Sequence, residues 1–435
     1  MKIIQLIVKN SSILDFTIPF YWGIISKYKN IKVVLLYCSI DKRQLIPNNT
    51  WYIKNLKKYN IDIIEYDLLN LFECKFFLNN FFRFISKEYN ETTPNYFEKK
   101  NIINLSLVSK LHRIIIKILF KLSSKYLNLM THKIDFKGFI NRFNPDIFFL
   151  DNREDLKFIG SEVIFKSIFN SKKSKVVIPH APHYSVSEYA FSPVNPHGKE
   201  IYDDCDIWLP FQKAKPWISK PDLIKQFFYV GYPGLDTKWL NFCRKSKIQK
   251  TQKKLINVFY IGRKFLDFKN SNFVTLDFNT VYSEIFQINK SFVDLNLNYK
   301  LIFKIHPSGS FYMAQKLLKK LKIHDYEITI KPIYSHLAST DIVLSTYSTS
   351  AIIPAMAGIP TLIFKSKVQA EVNSLWKEID KLYSNMMYFI EINQIKKTLN
   401  QILNNTNNFN DIAHLRKYFP DKSIERCNNR IKKII

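Results

Sequence analysis

The sequence predicts an α/β protein made of two Rossmann-like domains, each built on a parallel sheet. At 435 residues the chain is longer than one ordinary hydrophobic core accommodates. Short apolar runs alternate with longer amphipathic stretches, the pattern of buried parallel strands joined by helices. The pattern stops in a charged segment near residues 240 to 252 and then begins again. We therefore expect domains at residues 1–243 and 244–435, with the last helix as a candidate for crossing back.

Ten short runs rich in β-branched and aromatic residues predict the strands. In the first domain they are KIIQLIV, KVVLLYC, IDIIEYD, PDIFFLD and KVVIPHA. In the second domain they are LINVFYIG, YKLIFKIHP, YEITIKP, DIVLST and PTLIF. Because all strands of a parallel sheet end at the same edge, the residues that follow these runs are the candidates for a ligand site.

A helix is predicted between the third and fourth strands, with basic residues at intervals of three or four positions. They are Lys110, Arg113, Lys117, Lys121 and Lys125. One interpretation is a solvated face whose apolar remainder packs on the sheet. The other is a helix that lies on an anionic membrane, to which clustered basic residues are attracted.

The chain is strongly basic, with a formal charge of +29. This charge suits a phosphorylated substrate, a polyanion or an anionic membrane surface, but a general enrichment in Lys and Asn also explains it. We expect no nucleic acid partner, since no recognisable binding module accompanies the charge. The five cysteines are widely spaced and lack a CxxC pair, so we expect a reducing, cytoplasmic location and no structural zinc. The N-terminal residues read as a first buried strand and not as a leader.

The stretch STYSTSAIIPAMAGIP, which begins at Ser345, lies within a run from Ile342 to Phe364 without charged residues. Pro354 and Pro360 argue against a membrane-spanning helix. A nucleophilic serine is disfavoured because the GxSxG motif is absent. With 9 glycines in the chain, neither a P-loop nor a GxGxxG fingerprint occurs. Side chains and helix ends are therefore the expected ligands of any phosphate.

The hydroxyl residues of this stretch follow a predicted strand and precede a short predicted helix that ends at Gly358. Backbone N–H groups and hydroxyls at a helix start favour an anion. The predicted phosphate-binding residues here are Ser345, Ser348, Thr349 and Ser350.

Two other predicted strand ends carry basic residues. Lys304 and His306 end YKLIFKIHP, where they could stabilise an anionic leaving group. Gly262, Arg263 and Lys264 follow the first strand of the second domain; the glycine permits close approach of a diphosphate, and the two cations could neutralise it.

In the first domain Asp151 and His180 each follow a strand and are equal candidates for a general base. The other interpretation of either residue is a helix cap or a loop hydrogen bond. No Asp-x-Asp lies on a candidate cleft loop, so neither a metal nor another cofactor is expected.

KIHP, the hydroxyl-rich turn and PAMAGIPTLIF together resemble the nucleotide-binding half of bacterial GT-B glycosyltransferases that build surface polysaccharides. The motifs are similar to those of sialyl-, polysialyl- and Kdo-transferases and of teichoic-acid glycerophosphotransferases. The resemblance covers roughly residues 145 to 365 and implies two Rossmann-like domains that face each other across a cleft. It also implies that Lys304 and His306 contact the donor phosphate, with His306 in a catalytic role, and that Ser348 and Thr349 contact phosphate or ribose.

This chain departs from the family pattern at two positions. The glycerophosphotransferases have an acidic residue where this chain has Thr346, and many GT-B enzymes have a ribose-binding Glu near the place of Pro354. The expected activity is transfer of a sugar from a nucleotide donor, with a CMP-sugar slightly favoured, to a surface glycan such as a capsule or lipopolysaccharide, or to a lipid-linked acceptor. We expect an inverting, metal-independent reaction at the inner face of the membrane. The alternatives are a CDP-alcohol polyol-phosphate transferase and a non-catalytic basic protein that binds membrane or polyanion.

Overall fold

The structure is a computed structural model whose described residues group into two compact units. The described residues are 1–7, 14–28, 30–37, 51, 63–67, 107–130, 144–151, 168, 171–178, 205–209, 227–245, 255–262, 265–266, 276–305, 311–346, 348–364, 388–404 and 412–434. Unit 1 comprises Met1–Pro233 and Ser423–Ile435, and unit 2 comprises Gly234–Lys422.

Unit 1 contains a seven-stranded parallel sheet with the strand order β3-β2-β1-β4-β5-β6-β7. Its strands are β1 (Lys2–Ile7), β2 (Lys32–Tyr37), β3 (Ile63–Asp67), β4 (Ile147–Asp151), β5 (Ser174–Ile178), β6 (Cys205–Leu209) and β7 (Phe227–Tyr229). The helices among its described residues are α1 (Leu14–Lys27), α2 (Leu107–Met130) and the C-terminal helix α9 (Ser423–Ile434).

An aromatic cluster forms the core of unit 1. Phe20 of α1 packs edge-on against Trp208 of β6, with ring centroids 5.7 Å apart, and Phe149 of β4 contacts the same indole ring at 5.4 Å. All three side chains are buried. Burial of large aromatic side chains stabilises the fold strongly, because each removes a large apolar area from water.

The C-terminal helix α9 belongs to unit 1 and packs on α1. A side chain at Gly23 of α1 would collide with the Ile424 side chain, so the glycine lets the two helices approach. Arg430 donates two hydrogen bonds to the Asp206 carboxylate, at 2.6 and 2.8 Å. This bidentate pair fixes α9 to strand β6.

Unit 2 contains a six-stranded parallel sheet with the order β12-β11-β8-β13-β14-β15. Its strands are β8 (Ile256–Ile261), β11 (Tyr299–Lys304), β12 (Tyr326–Thr329), β13 (Ile342–Thr346), β14 (Thr361–Phe364) and β15 (Tyr388–Ile390), and the short strands β9 (Phe265–Leu266) and β10 (Leu276–Asp277) pair separately. The α-helices that the structure describes in this unit are α3 (Thr237–Lys245), α4 (Phe278–Asp294), α5 (Phe311–Lys320), α6 (Ile352–Met356), α7 (Ile395–Leu403) and α8 (Ile412–Tyr418).

All ten predicted strands are present, but the strands β6, β7, β9, β10 and β15 were not predicted. The predicted boundary between residues 243 and 244 falls inside α3, whereas the two units divide at Pro233 and Gly234. The charged run after α3 suggested a linker between the domains. However, other residues of unit 2 pack against α3. Its Trp239 ring lies 5.6 Å from that of Tyr334.

The turn that precedes α3 has a structural role. Gly231 has a φ of +80°, which glycine adopts at little cost. Asp236 is buried, and its carboxylate accepts a hydrogen bond from the Lys238 backbone N–H at 3.0 Å, which caps α3.

A helix able to span a lipid bilayer does not occur among the described residues. Three of the five cysteines, Cys205, Cys243 and Cys427, are buried free thiols. Burial raises the pKa of the Cys243 thiol well above its usual value, so this cysteine is a poor nucleophile.

Candidate functional site

The strand order of unit 2 reverses between β8 and β13. Along the chain the six strands of its main sheet occupy positions three, two, one, four, five and six in the sheet, so the segments that follow β8 and β13 lead in opposite directions. In open parallel sheets such a reversal leaves a crevice outside the carboxyl ends of the two strands, and ligands bind there. Gly262 follows β8, and the hydroxyl-rich stretch lies at the end of β13.

The hydroxyls of Ser345 and Thr346 join these two strand ends. They lie 3.4 and 3.3 Å from the Ile261 carbonyl oxygen, and both side chains are fully buried. The Ser345 hydroxyl also contacts the Thr346 carbonyl oxygen. Both hydroxyls therefore have backbone partners, and they lie at the strand ends that would form the floor of such a crevice. For Ser345, a direct contact with a donor stays a prediction.

Ser348 and Ser350 lie further along, where the chain leaves the strand. Thr349 begins a 3₁₀ turn that leads into α6, and the Ser348 carbonyl accepts a hydrogen bond from Ala351 at 3.0 Å. Ala351 occupies the N-cap position of α6, so the hydroxyl residues precede the cap. The side chains of Ser348 and Ser350 are half-buried, while that of Thr349 lies outside the description.

The sequence predicted that the short helix α6 is ended by Gly358, and the structure confirms this. Gly358 has a φ of +74°, and its N–H donates to the Ala355 carbonyl at 2.9 Å. The Arg244 guanidinium donates to the Ala357 carbonyl, which satisfies a second orphan acceptor at this helix end. The hydroxyl-rich stretch is thus followed by a short helix that is anchored at its far end.

Gly262 allows β8 to approach β11 closely. Its backbone N–H donates to the Lys304 carbonyl at 3.0 Å, and an added Cβ would lie 3.2 Å from the same oxygen. Packing against β11 therefore favours glycine here, whether or not a ligand binds.

The Lys304 ammonium is held at the carboxyl end of the neighbouring strand β12. Its Nζ donates to the Lys331 carbonyl at 2.9 Å and lies 3.5 Å from that of Ile330. In the structure this cation is directed to backbone carbonyls near β12, so its predicted contact with a donor phosphate requires a change of side-chain conformation.

The remaining predicted residues are only partly described. Asp151 is the last residue of β4, at the corresponding strand-order reversal of unit 1 between β1 and β4, but its side chain is outside the description. His180, Arg263, Lys264 and His306 lie outside the described residues.

A buried polar pair close to the crevice was not predicted. Tyr260 donates a hydrogen bond of 2.6 Å from its hydroxyl to the Glu284 carboxyl, which is 3% exposed. Burial raises the pKa of Glu284 to about 8, although the hydrogen bond from Tyr260 opposes this shift. The Thr346 hydroxyl opposes the rise in the pKa of Tyr260 that burial causes, so the pair lies close to the end of β13. Glu284 is thus a neutral acid at neutral pH.

His336 is a second buried titratable residue that was not predicted. Its ring stacks on Phe259 with centroids 5.0 Å apart, and Nε2 lies 3.3 Å from the Thr329 hydroxyl. Burial lowers the pKa of His336 to about 4, so the imidazole is neutral at physiological pH. Within the described part of the chain, His, Cys, Asp and Glu side chains form no group that could hold a metal ion.

No family model matches this sequence, and neither does any curated protein. Solved structures do resemble it. A Listeria monocytogenes protein assigned as a UDP-N-acetylglucosamine 2-epimerase has a TM-score of 0.52 and 12% identity over 99% of this chain and 94% of the other. A second UDP-N-acetylglucosamine 2-epimerase has a TM-score of 0.51 with the same identity and coverage. The chain has the GT-B fold. Its two Rossmann-like sheets agree with the predicted fold class.

Proposed function

We propose that this GT-B protein is a glycosyltransferase that uses a nucleotide-activated sugar. The observation that carries the proposal is the coincidence of the strand-order reversal in unit 2 with the hydroxyl-rich stretch and Gly262. The fold directs ligands to this edge, and the sequence supplies hydroxyls and backbone N–H groups suited to phosphate. The structural neighbours are named for a UDP-sugar substrate, which also supports a nucleotide-sugar ligand.

In this proposal unit 2 binds the donor and unit 1 binds the acceptor. Ser348, Thr349 and Ser350 bind phosphate or ribose, while Lys304 and His306 stabilise the leaving nucleotide phosphate. Ser345 supports the site from the floor of the crevice. Gly262, Arg263 and Lys264 border the donor phosphate or the sugar.

Asp151 or His180 of unit 1 would act as the general base of an inverting, metal-independent reaction. The base removes the proton of an acceptor hydroxyl while that oxygen attacks the anomeric carbon and the nucleotide leaves with the bonding electrons. The proposed donor is a CMP-sugar, and the proposed acceptor is a surface glycan or a lipid-linked precursor at the inner face of the membrane.

A donor screen followed by a turnover assay tests the proposal. Binding of the correct donor should raise the unfolding temperature, since it stabilises only the folded protein. Stabilisation by CMP-linked sugars supports the proposed donor; stabilisation by CDP-glycerol alone would favour polyol-phosphate transfer. His306→Ala should then reduce turnover by at least about a hundredfold. His324→Ala is the matched control, because His324 is an exposed histidine of the same unit.

The assay also needs to separate transfer from epimerisation. A transferase releases nucleotide only when an acceptor is present, whereas an epimerase converts the nucleotide sugar without one. Conversion of UDP-N-acetylglucosamine alone would contradict the transferase proposal. Full activity in the presence of a metal chelator is the expected result for a metal-independent enzyme.

A further inference from the structure

Helix α2 of unit 1 exposes a stripe of large apolar side chains. Leu111, Ile114, Ile115, Ile118 and Leu122 are each between 50% and 58% exposed. Their spacing of three and four residues places them on one face of a helix with about 3.6 residues per turn. Ile116, on the opposite side, is 4% exposed. The helix therefore packs through the Ile116 side and presents its apolar stripe outward.

Basic side chains run along one flank of this apolar stripe. Lys117, Lys121 and Lys125 are exposed and recur every four residues. The whole helix from Leu107 to Met130 contains no Asp or Glu. An apolar stripe beside a purely cationic stripe is the pattern of helices that lie in the interface of a lipid bilayer.

We infer that α2 is a docking surface for an anionic lipid bilayer and lies in the plane of that surface. The apolar stripe inserts below the headgroups, and the lysine side chains extend to the lipid phosphates. The sequence left open whether the apolar residues of this helix pack on the sheet. Their exposure excludes that interpretation for the five residues of the stripe. The inference does not depend on the proposed function.

The charge of α2 argues against a second copy of the chain as the occupant. Docking of two such helices through their apolar stripes would bring two cationic flanks together without an acidic residue on either helix. Like charges in such a contact repel. A bilayer with anionic headgroups supplies the opposite charge along the whole length of the helix.

Vesicle flotation of the full chain tests this inference. Wild type should float with vesicles of phosphatidylcholine and phosphatidylglycerol and much less with phosphatidylcholine alone. The variant K117Q/K121Q/K125Q should bind the anionic vesicles about a hundredfold more weakly, since each lysine near the surface contributes about fivefold. The control K316Q/K319Q/K397Q removes three exposed lysines of unit 2 and should bind like wild type.

A second pair of variants tests insertion of the apolar stripe. In high salt, which screens the lysines, wild type should retain a measurable fraction of its binding. I114Q/I118Q/L122Q should lose that fraction, whereas V293Q/F311Q, which alters two exposed apolar residues of unit 2, should keep it. Amides of α2 should exchange hydrogen more slowly when vesicles are added. Circular dichroism of each variant confirms that it is folded.

Three results would overturn the inference. One is an absence of wild-type binding to anionic vesicles. Another is equal binding by the lysine variant of α2 and its control. The third is a concentration-dependent dimer that the apolar-stripe variant dissociates and that vesicles do not, which would make a second copy the occupant.

Discussion

The Thr346 hydroxyl lies 3.3 Å from the carbonyl oxygen of Ile261 and donates a hydrogen bond to it. This bond joins the last residues of β13 and β8, the two strands at which the order of the unit 2 sheet reverses. Tyr260, the residue before Ile261, donates a hydrogen bond from its hydroxyl to the buried Glu284. These two polar contacts lie at the strand ends that border the proposed nucleotide site.

Thr346→Val should lower the free energy of unfolding by about 1 to 3 kcal/mol, because the nearly isosteric side chain leaves buried polar partners without a hydroxyl. Thr346→Ser keeps the hydroxyl and should cost less. Urea unfolding of the three proteins measures the difference. An equal loss in both variants would show that the methyl group, and not the hydrogen bond, stabilises this position.

Glu284 should make stability depend on pH in the neutral range. Its pKa is about 8 in the folded protein and 4.5 in an unperturbed carboxyl, so between these values the folded protein retains a proton that the unfolded chain has lost. The contribution of Glu284 to the free energy of unfolding should fall as the pH rises through this window and level off above it. Glu284→Gln, which mimics the neutral acid, should remove this component.

Urea unfolding of wild type and Glu284→Gln at several pH values between 4.5 and 8 provides the measurement. Glu327→Gln is the control, because the Glu327 side chain is 37% exposed. Parallel curves for wild type and Glu284→Gln would contradict the raised pKa.

His336 should produce acid sensitivity with the opposite pH direction. Its pKa is about 4 in the folded protein against 6.5 for a free imidazole, so below 6.5 the unfolded chain binds a proton that the folded protein excludes. The contribution of His336 to stability should fall as the pH decreases from 6.5 to about 4. His336→Phe, which can retain the stack on Phe259, should weaken this decrease, while the exposed His324→Gln should leave it unchanged. Thermal melting at several pH values between about 4 and 6.5 provides the measurement. A His336→Phe variant that remained as acid-sensitive as wild type would contradict the lowered pKa of His336.

Asp206→Asn should destabilise unit 1 by about 1 to 3 kcal/mol, because it breaks a charge-assisted, bidentate hydrogen-bond pair with Arg430. The two side chains are 16% and 23% exposed, so water screens them only partly. Breaking the more exposed pair of Lys300 and Glu327 by Glu327→Gln should cost less than about 1 kcal/mol. Chemical unfolding measures the free energy lost in each variant. Equal losses in Asp206→Asn and Glu327→Gln would argue against a special role of Arg430 in holding α9.

The sequence was most informative where apolar runs are long. Strands such as Ile256–Ile261 and Ile342–Thr346 are buried on both faces, so their hydrophobic pattern is continuous. By contrast, Phe227–Tyr229 and Tyr388–Ile390 have three residues each, too few to distinguish a strand from a loop. Local pattern therefore failed where a strand is very short, and not at every edge, because the edge strands Ile63–Asp67 and Tyr326–Thr329 were predicted.

The sequence predicted the hydroxyl residues at the end of β13, because these residues of the candidate site are adjacent in the chain. The sequence did not predict the buried Glu284, because α4 has the pattern of an ordinary amphipathic helix. The burial of Glu284 depends on its contact with Tyr260 of β8. The contact of Lys304 with the Lys331 carbonyl likewise arises from two different strand ends. Contacts of this kind come from tertiary packing, which the spacing of residues along the chain does not report.

We propose that a nucleotide binds at the carboxyl edge of the unit 2 sheet. Isothermal titration of wild type and Ser348→Glu with CMP, CDP and UDP measures this binding. The new carboxylate should repel the phosphate and weaken binding at least about tenfold. Ser339→Glu is the control, because Ser339 is a half-buried serine that precedes β13 and so lies at the amino edge. We predict that one nucleotide binds wild type and Ser339→Glu alike and Ser348→Glu weakly; no binding to wild type, or equal binding to all three proteins, would contradict the account.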